Sequence, residues 1–148
     1  MVSLTVIYTG EVITNEEKKI KTGRDYTTCN ACFVFIDATY TFSVPQKQMV
    51  SGGFDILSHI METYFSTCDE ENVSDDISEA LMRGVIRDLR ASIKNPEDYC
   101  ARSNLMWEST MAENRIIKLG KKCDFQCHQM EHQLGAYTNC NHGEGLAV

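Results

Sequence analysis

QKQMVSGGFDILSHIMETY, residues 46–64, is the stretch on which the fold turns. Apolar side chains stand at 49, 50, 54, 56, 57, 60, 61 and 64, a helical spacing that reaches nearly around the axis, so it predicts a buried α-helix. Pro45, just before it, suits a first helical turn. Between Met49 and Met61 the only ionisable side chains are Asp55 and His59, spaced i, i+4 on one face. A buried carboxylate without a partner costs several kcal/mol or is forced neutral, so this pair calls for a mutual hydrogen bond or a shared cation.

Beyond residue 64 the helical pattern continues. Ser74 reads as the cap of a second helix with Ile77, Leu81, Val85 and Leu89 along one face. Asp75, Asp76 and Glu79 come early in it and Arg83, Arg87, Arg90 and Lys94 late, which complements the helix dipole. Asn95 and Pro96 restart a third helix carrying Tyr99, Leu105, Met106 and Met111, and a fourth, about 124 to 137, follows the loop at Gly120. Before Pro45 the character is different. Val6 to Tyr8, Glu11 to Thr14 and Cys32 to Ile36 are strand-like, with Gly10, Asn15 and Gly23 as turn signals. The expected architecture is mainly α, a helical bundle with a β preface.

The 148 residues, 43% apolar and 24% charged, hold enough material for one core. A net charge of −7 works against binding a polyanion, so nucleic acid is not an expected partner. Every apolar run is shorter than the roughly 18 residues of a spanning helix, so no membrane is expected either. The seven cysteines lie among helical patterns and read as reduced thiols, which favours the cytoplasm. No GxGxxG, GxxxxGK[ST] or GxSxG occurs, which removes the common phosphate loops and the serine nucleophile elbow.

The chain has four histidines, and three of them, His128, His132 and His142, crowd near its end. His128 and His132 repeat the i, i+4 spacing, and His142 sits in the glycine-rich stretch NHGEGLA, where the backbone can bend sharply. One carboxylate with three imidazoles suits a borderline divalent ion such as Fe2+ or Zn2+. Spacing does not choose which three. The plainer readings are an Asp55–His59 hydrogen bond in the core, a helix-packing His132 and an exposed turn for His142. A rival zinc site would use Cys29 and Cys32, in CxxC spacing, with Cys123 and Cys127; packing is the better reading of these thiols.

These stretches resemble the iron-containing (group III) alcohol dehydrogenases, in particular their NADP-dependent butanol dehydrogenase branch. The resemblance rests on VITNEEKKIK from Val12, FIDATYTFSVP from Phe35, GGFDILSHIMETYF from Gly52, NPEDYCARSNLMWEST from Asn95 and CHQMEHQLGAYTNCNHGEGLA from Cys127. It implies that Asp55, His59, His128 and His142 hold Fe2+ or Zn2+, that His132 stays free to relay a proton beside the substrate, and that Val12, Lys21 and Tyr40 line the pocket for NADP(H) or NAD(H). The implied reaction moves hydride between nicotinamide C4 and a small primary alcohol or aldehyde, with the ion as a Lewis acid. A metal-dependent lyase like the dehydroquinate synthases shares the broader architecture, but the butanol-type TYTFSVP stretch argues against it.

Members of that family begin with a nucleotide domain holding a glycine-rich phosphate loop and continue beyond the segment matching HGEGLAV. The chain is therefore expected to be an internal fragment: residues 1–44 a β-rich remnant of the dinucleotide-binding domain, residues 45–148 a truncated helical metal-binding domain. Alone it is expected to turn over poorly, since activity needs a partner chain that supplies the rest; the expected protein partners are a second copy, as a homodimer, or a complementing chain. The alternative is a non-catalytic metal-binding remnant or interaction module.

Overall fold

A two-stranded hairpin precedes five helices in the computed structural model, which describes residues 10–26, 31–67 and 70–148. Strands β1 (Gly10–Asn15) and β2 (Ile20–Asp25) pair antiparallel, from Gly10 opposite Asp25 to Asn15 opposite Ile20. Helices follow as α1 (Gln46–Tyr64), α2 (Val73–Lys94), α3 (Tyr99–Glu113), α4 (Gln126–Thr138) and α5 (His142–Leu146). Short 3-10 turns occupy Ala38–Thr41 and Ile116–Lys118. The chain is mainly helical, as expected, and none of the described helices is long and apolar enough to cross a membrane.

The β preface differs in detail from its expected form. In the hairpin turn Asn15 Oδ1 accepts from the Lys18 N–H at 2.9 Å, and Lys19 takes the left-handed conformation. Gly23, expected in a turn, lies inside β2 opposite Val12. Val6 to Tyr8 falls outside the described residues. Cys32 to Ile36 is not a strand but irregular chain running into the first 3-10 turn. Phe33 and Phe35 are 86% and 94% exposed. Residue preference alone cannot hold a strand, and no described strand lies beside this one to satisfy its backbone groups.

Helix α1 begins one residue after Pro45, which stands at the cap position rather than in the first turn. It buries Met49, Ile56 and Ile60 but leaves Phe54 and Met61 about two-fifths exposed, so it is one-sided where an all-round buried helix was expected. Its inner face meets α2, α3 and α5. Gly53 makes the crossing with α2 close, since a Cβ there would sit 2.6 Å from Leu89 Cδ2. Met49, Ile56, Ile60, Val85, Leu89, Leu105, Ala112 and Ile117 form the core, each large side chain contributing roughly 1.5–3 kcal/mol by burial.

Two helix starts also shift. Asn72, not Ser74, caps α2 by accepting from the Asp75 N–H at 3.0 Å; Ser74 lies within the first turn and donates to the Leu119 carbonyl. Asparagine and serine are comparable caps, and two residues separate them here, so sequence could not choose. Asn95 to Glu97 form a turn rather than the start of α3, which Asp98 caps through the Ala101 N–H.

Between α2 and α3 the buried Glu108 lies against Gly84 and Asp88. Burial, and then the charge of Asp88, push its carboxyl up to about 7, although Arg87, which pairs with Asp88 at 2.6 Å, opposes the rise. A raised carboxyl pKa means that the folded chain holds this proton more tightly than the unfolded chain. The resulting stability is full below the unfolded value and is lost as pH rises through about 7. Glu108→Gln mimics the protonated group. It is expected to be more stable than the wild type at pH 8, by on the order of 2 kcal/mol, with the advantage gone near pH 4. Thermal melts at the two pH values check this, and a difference that does not vary with pH contradicts it.

Candidate metal centre

Helix periodicity puts Asp55, His59 and Glu62 of α1 on one face, at successive steps of four and three residues. His128, Glu131 and His132 come from α4, and His142 is the first residue of α5. The donors meet around one oxygen. Asp55 Oδ1 lies 3.4 Å from His59 Nε2, 3.5 Å from His128 Nε2 and 3.6 Å from His142 Nε2. His59 Nε2 and His128 Nε2 are 3.0 Å apart.

This set fits a divalent cation. Asp55 Oδ1 is buried, yet no nitrogen meets it in hydrogen-bond geometry. Two donors bound tetrahedrally at about 2.0–2.1 Å from one ion stand roughly 3.4 Å apart, the spacing between Asp55 Oδ1 and each ring; the potential metal-binding group around Asp55 comprises Asp55, His128 and His142 and does not include His59. A buried orphan oxygen facing three imidazole nitrogens is a costly arrangement that a shared cation relieves.

Every one of the three rings has a second carboxylate behind it. His128 Nδ1 is hydrogen-bonded with Glu62 Oε1 and His142 Nδ1 with Glu131 Oε2, whereas His59 Nδ1 lies against Glu113 Oε1 outside hydrogen-bond geometry. Glu62 also accepts from the N–H groups of Cys127 at 2.9 Å and His128 at 3.1 Å. It thereby serves as the anionic cap of α4, whose own cap residue, Phe125, makes no side-chain cap bond. The Phe125 ring packs on His59 and His128, with centroids 5.6 and 5.4 Å away.

Close packing of α5 on α1 positions His142. A Cβ on Gly143 would fall 2.6 Å from the Ser51 carbonyl carbon and closer still to its oxygen, so only glycine lets the helices touch there. Ser51 Oγ bonds Asn141 Oδ1, and Asn141 Nδ2 donates to Gln48 at 2.7 Å. The glycine-rich end was expected to act by bending; it forms a short helix and acts by close approach.

Burial acts most strongly on these groups, and their partners decide the outcome. For Asp55 burial works upward, but attraction to His128, His59 and His142 outweighs it and holds the carboxyl below its usual range. For His128 burial works downward and is overcome by Asp55 and Glu62, so its pKa is raised. For His142 burial prevails over Asp55 and Glu131, and its pKa is lowered. His132 is pushed down to about 4 by burial and then by the positive charge of Lys21, which keeps it neutral near pH 7.

His132 stands outside the cluster around Asp55, its ring centroid 5.4 Å from that of His142. Lys21 reaches from β2 to within 3.4 Å of both Glu131 Oε2 and His142 Nδ1. Val12 and Tyr40 do not join the cluster: they are 50% and 78% exposed. Cys29 lies outside the described residues. Cys32 and Cys127 are exposed, and burial raises the pKa of Cys123, whose thiol donates to the Glu62 carbonyl at 3.2 Å. Among the described residues no cysteine belongs to a potential metal-binding group. Sequence reasoning missed Glu62, Glu113 and Glu131. The spacing of Glu62 from His59 and of Glu131 from His128, three residues each, was the available signal; Glu113 offered none.

Residues 49–148 match the profile described as "Fe-containing alcohol dehydrogenase family, C-terminal". NADH-dependent butanol dehydrogenase A of Clostridium acetobutylicum is 42% identical over 137 residues, covering 93% of this chain and 35% of the relative. The NADPH-dependent aldehyde reductase YqhD of Escherichia coli is 31% identical over 116 residues, covering 78% of this chain and 30% of the reductase. The crystal structure of NADH-dependent butanol dehydrogenase A from Thermotoga maritima superposes with a TM-score of 0.91 at 36% identity, over 95% of this chain and 35% of that one. The chain thus spans about a third of the length of these relatives. Their names specify NADH in two cases and NADPH in one, so the resemblance to an NADP-dependent branch does not fix the coenzyme.

Proposed function

The chain belongs to the iron-containing alcohol dehydrogenase family, and from that premise we propose that it supplies the metal half of the active site of an NAD(P)-linked alcohol dehydrogenase or aldehyde reductase. Asp55, His59, His128 and His142 would hold Fe2+ or Zn2+. The observation that carries this reading is the single buried oxygen of Asp55 with three imidazole Nε2 atoms 3.4–3.6 Å from it. When bound, the ion supplies Lewis-acid polarisation of a substrate oxygen.

The chain's own residues do the rest. Glu113, Glu62 and Glu131 orient the three rings, and Phe125 shields two of them from water. His132, neutral near pH 7, accepts the hydroxyl proton as an alcohol is oxidised and returns it in aldehyde reduction. Val12, Lys21 and Tyr40 would face the nicotinamide dinucleotide, with residues 1–44 as this chain's contribution to the dinucleotide-binding domain. A complementing chain would supply a phosphate loop, a motif that a second copy of these 148 residues does not carry.

The test combines zinc titration with NADH and NADPH fluorescence titrations and butyraldehyde-dependent oxidation of both coenzymes. One ion per chain with measurable coenzyme affinity and aldehyde reduction is the expected result. An ion bound without coenzyme affinity would instead favour the non-catalytic remnant. No stoichiometric ion would overturn both.

A further inference from the structure

A surface groove of about 290 Å³ runs between α2 and α3, and none of its lining residues belongs to the metal centre. Ile77, Ala80 and Leu81 of α2 and Trp107 of α3 make its walls largely apolar. Trp107 is 57% exposed and is the only tryptophan of the chain. Glu108 lines the same groove and is 6% exposed. An indole half in water beside a buried carboxyl presents two groups that attract a cation, one through its π face and one through its charge.

The carboxyl lacks the partner that its burial calls for. Glu108 Oε2 is closed off from water and has no hydrogen-bond partner, which is a costly arrangement. The one basic side chain in the groove, Arg87, is taken up by Asp88, to which it donates from Nε at 3.0 Å and from Nη2 at 2.6 Å. Asp88 is itself buried and sets a second negative charge beside the first. Gly84 leaves the recess open for these groups, since a Cβ there would collide with Glu108 Oε1. Two carboxylates against one guanidinium leave the recess net negative, and the raised Glu108 carboxyl is the consequence.

The recess also selects among cations. Among the described residues neither Asp88 nor Glu108 belongs to a group with three metal donors, which disfavours a divalent ion. A guanidinium asks for two oxygens in its own plane, and Asp88 already meets Arg87 in that manner. A primary ammonium is compact, donates in three directions and carries an alkyl stem that apolar walls can cover. We infer that the α2–α3 groove binds a primary alkylammonium, its nitrogen donating to Glu108 Oε2 and its alkyl chain lying along Leu81 and the Trp107 ring. Rotation about the terminal torsion of Glu108, which is soft, turns the orphan oxygen toward the groove. A free amine and the lysine side chain of a second protein share this chemistry.

The experiment follows the fluorescence of Trp107 in the full chain at pH 8 as n-butylammonium chloride is added, with n-butanol and potassium chloride at equal concentrations as controls. A saturable change with a dissociation constant on the order of 1 mM, absent from both controls, is the expected result. Glu108→Gln keeps the shape without the charge and is expected to weaken binding by at least about tenfold. Arg87→Ala removes the competing cation and is expected to tighten it roughly threefold. Nα-acetyl-lysine N-methylamide identifies the source: binding as tight as that of butylammonium or tighter assigns the groove to a protein's lysine, and weaker binding assigns it to a free amine. No saturable change, an equal change with butanol, or an unaltered dissociation constant in Glu108→Gln overturns the inference. If the Gln variant does not fold, weaker binding in Arg87→Ala overturns it. None of these outcomes depends on a bound metal ion, so the reading of the metal centre stands or falls separately.

Discussion

Zinc titrated into the His128→Ala or His142→Ala chain is expected to find no stoichiometric site, whereas the His132→Ala chain binds within about threefold of the wild type. The first two rings place Nε2 within 3.5 and 3.6 Å of Asp55 Oδ1, and His132 does not belong to that group. Four-ligand zinc sites are worth about 10–16 kcal/mol, so one ligand in four carries roughly 3 kcal/mol, more than a hundredfold in Kd. The loss is larger still where the alanine leaves Glu62 or Glu131 buried without the imidazole it faced. Calorimetry on the three variants decides the matter. Equal loss at all three positions would overturn this choice of ligands, whereas loss at His132 and His142 with binding kept in His128→Ala would place the ion between α4 and α5, where Glu131, His132 and His142 also approach one another.

Gly143→Ala is expected to damage both fold and site although it adds a single methyl group. The new Cβ would stand 2.6 Å from the Ser51 carbonyl carbon, and the main chain of a packed helix cannot turn aside as a side chain can. Helix α5 must move instead, and His142 is its first residue. Overpacking of this kind costs about 1–3 kcal/mol. The displacement also separates His142 from Asp55, so zinc affinity falls together with the melting temperature. Adding Ser51→Ala removes the hydroxyl but not the carbonyl, so it does not restore binding. A Gly143→Ala chain with wild-type melting and wild-type zinc affinity would show that α5 does not rest on α1 in this way.

The helical half of the fold was legible because its periodicity is strong. The α1 run, the i, i+4 face of α2 and the turn at Gly120 all name their elements directly. The strands were harder. Ile20–Asp25 reads IKTGRD, with no apolar alternation, and is a strand because its backbone pairs with β1. Cys32 to Ile36 has the better composition and no strand beside it among the described residues. Preference is local, whereas pairing is not.

The candidate site divides in the same manner. Asp55 with His59, and His128 with His132, are visible as pairs because a helix converts spacing into proximity. Their convergence is a tertiary fact, and choosing His128 and His142 over His132 came from family resemblance rather than from spacing. The glutamates stayed hidden because a glutamate on an amphipathic helix ordinarily faces water, and only the placement of α3 and α4 shows that these do not. Burial of that kind is set by what a helix packs against, which no window along the chain contains.

The residues around Asp55 are drawn from the beginning and the end of the helical region, with α2 and α3 lying between them in sequence. An ion seated there would rivet α5 to α1 and close the whole intervening loop. Loop closure is an entropic cost that the unfolded chain avoids, so the cation discriminates sharply between open and closed forms. At a hundredfold excess over its dissociation constant it adds about 2.7 kcal/mol, a sizeable share of the 5–15 kcal/mol that holds a typical domain together. Metal supply would then govern how long the polypeptide survives proteolysis, quite apart from any turnover.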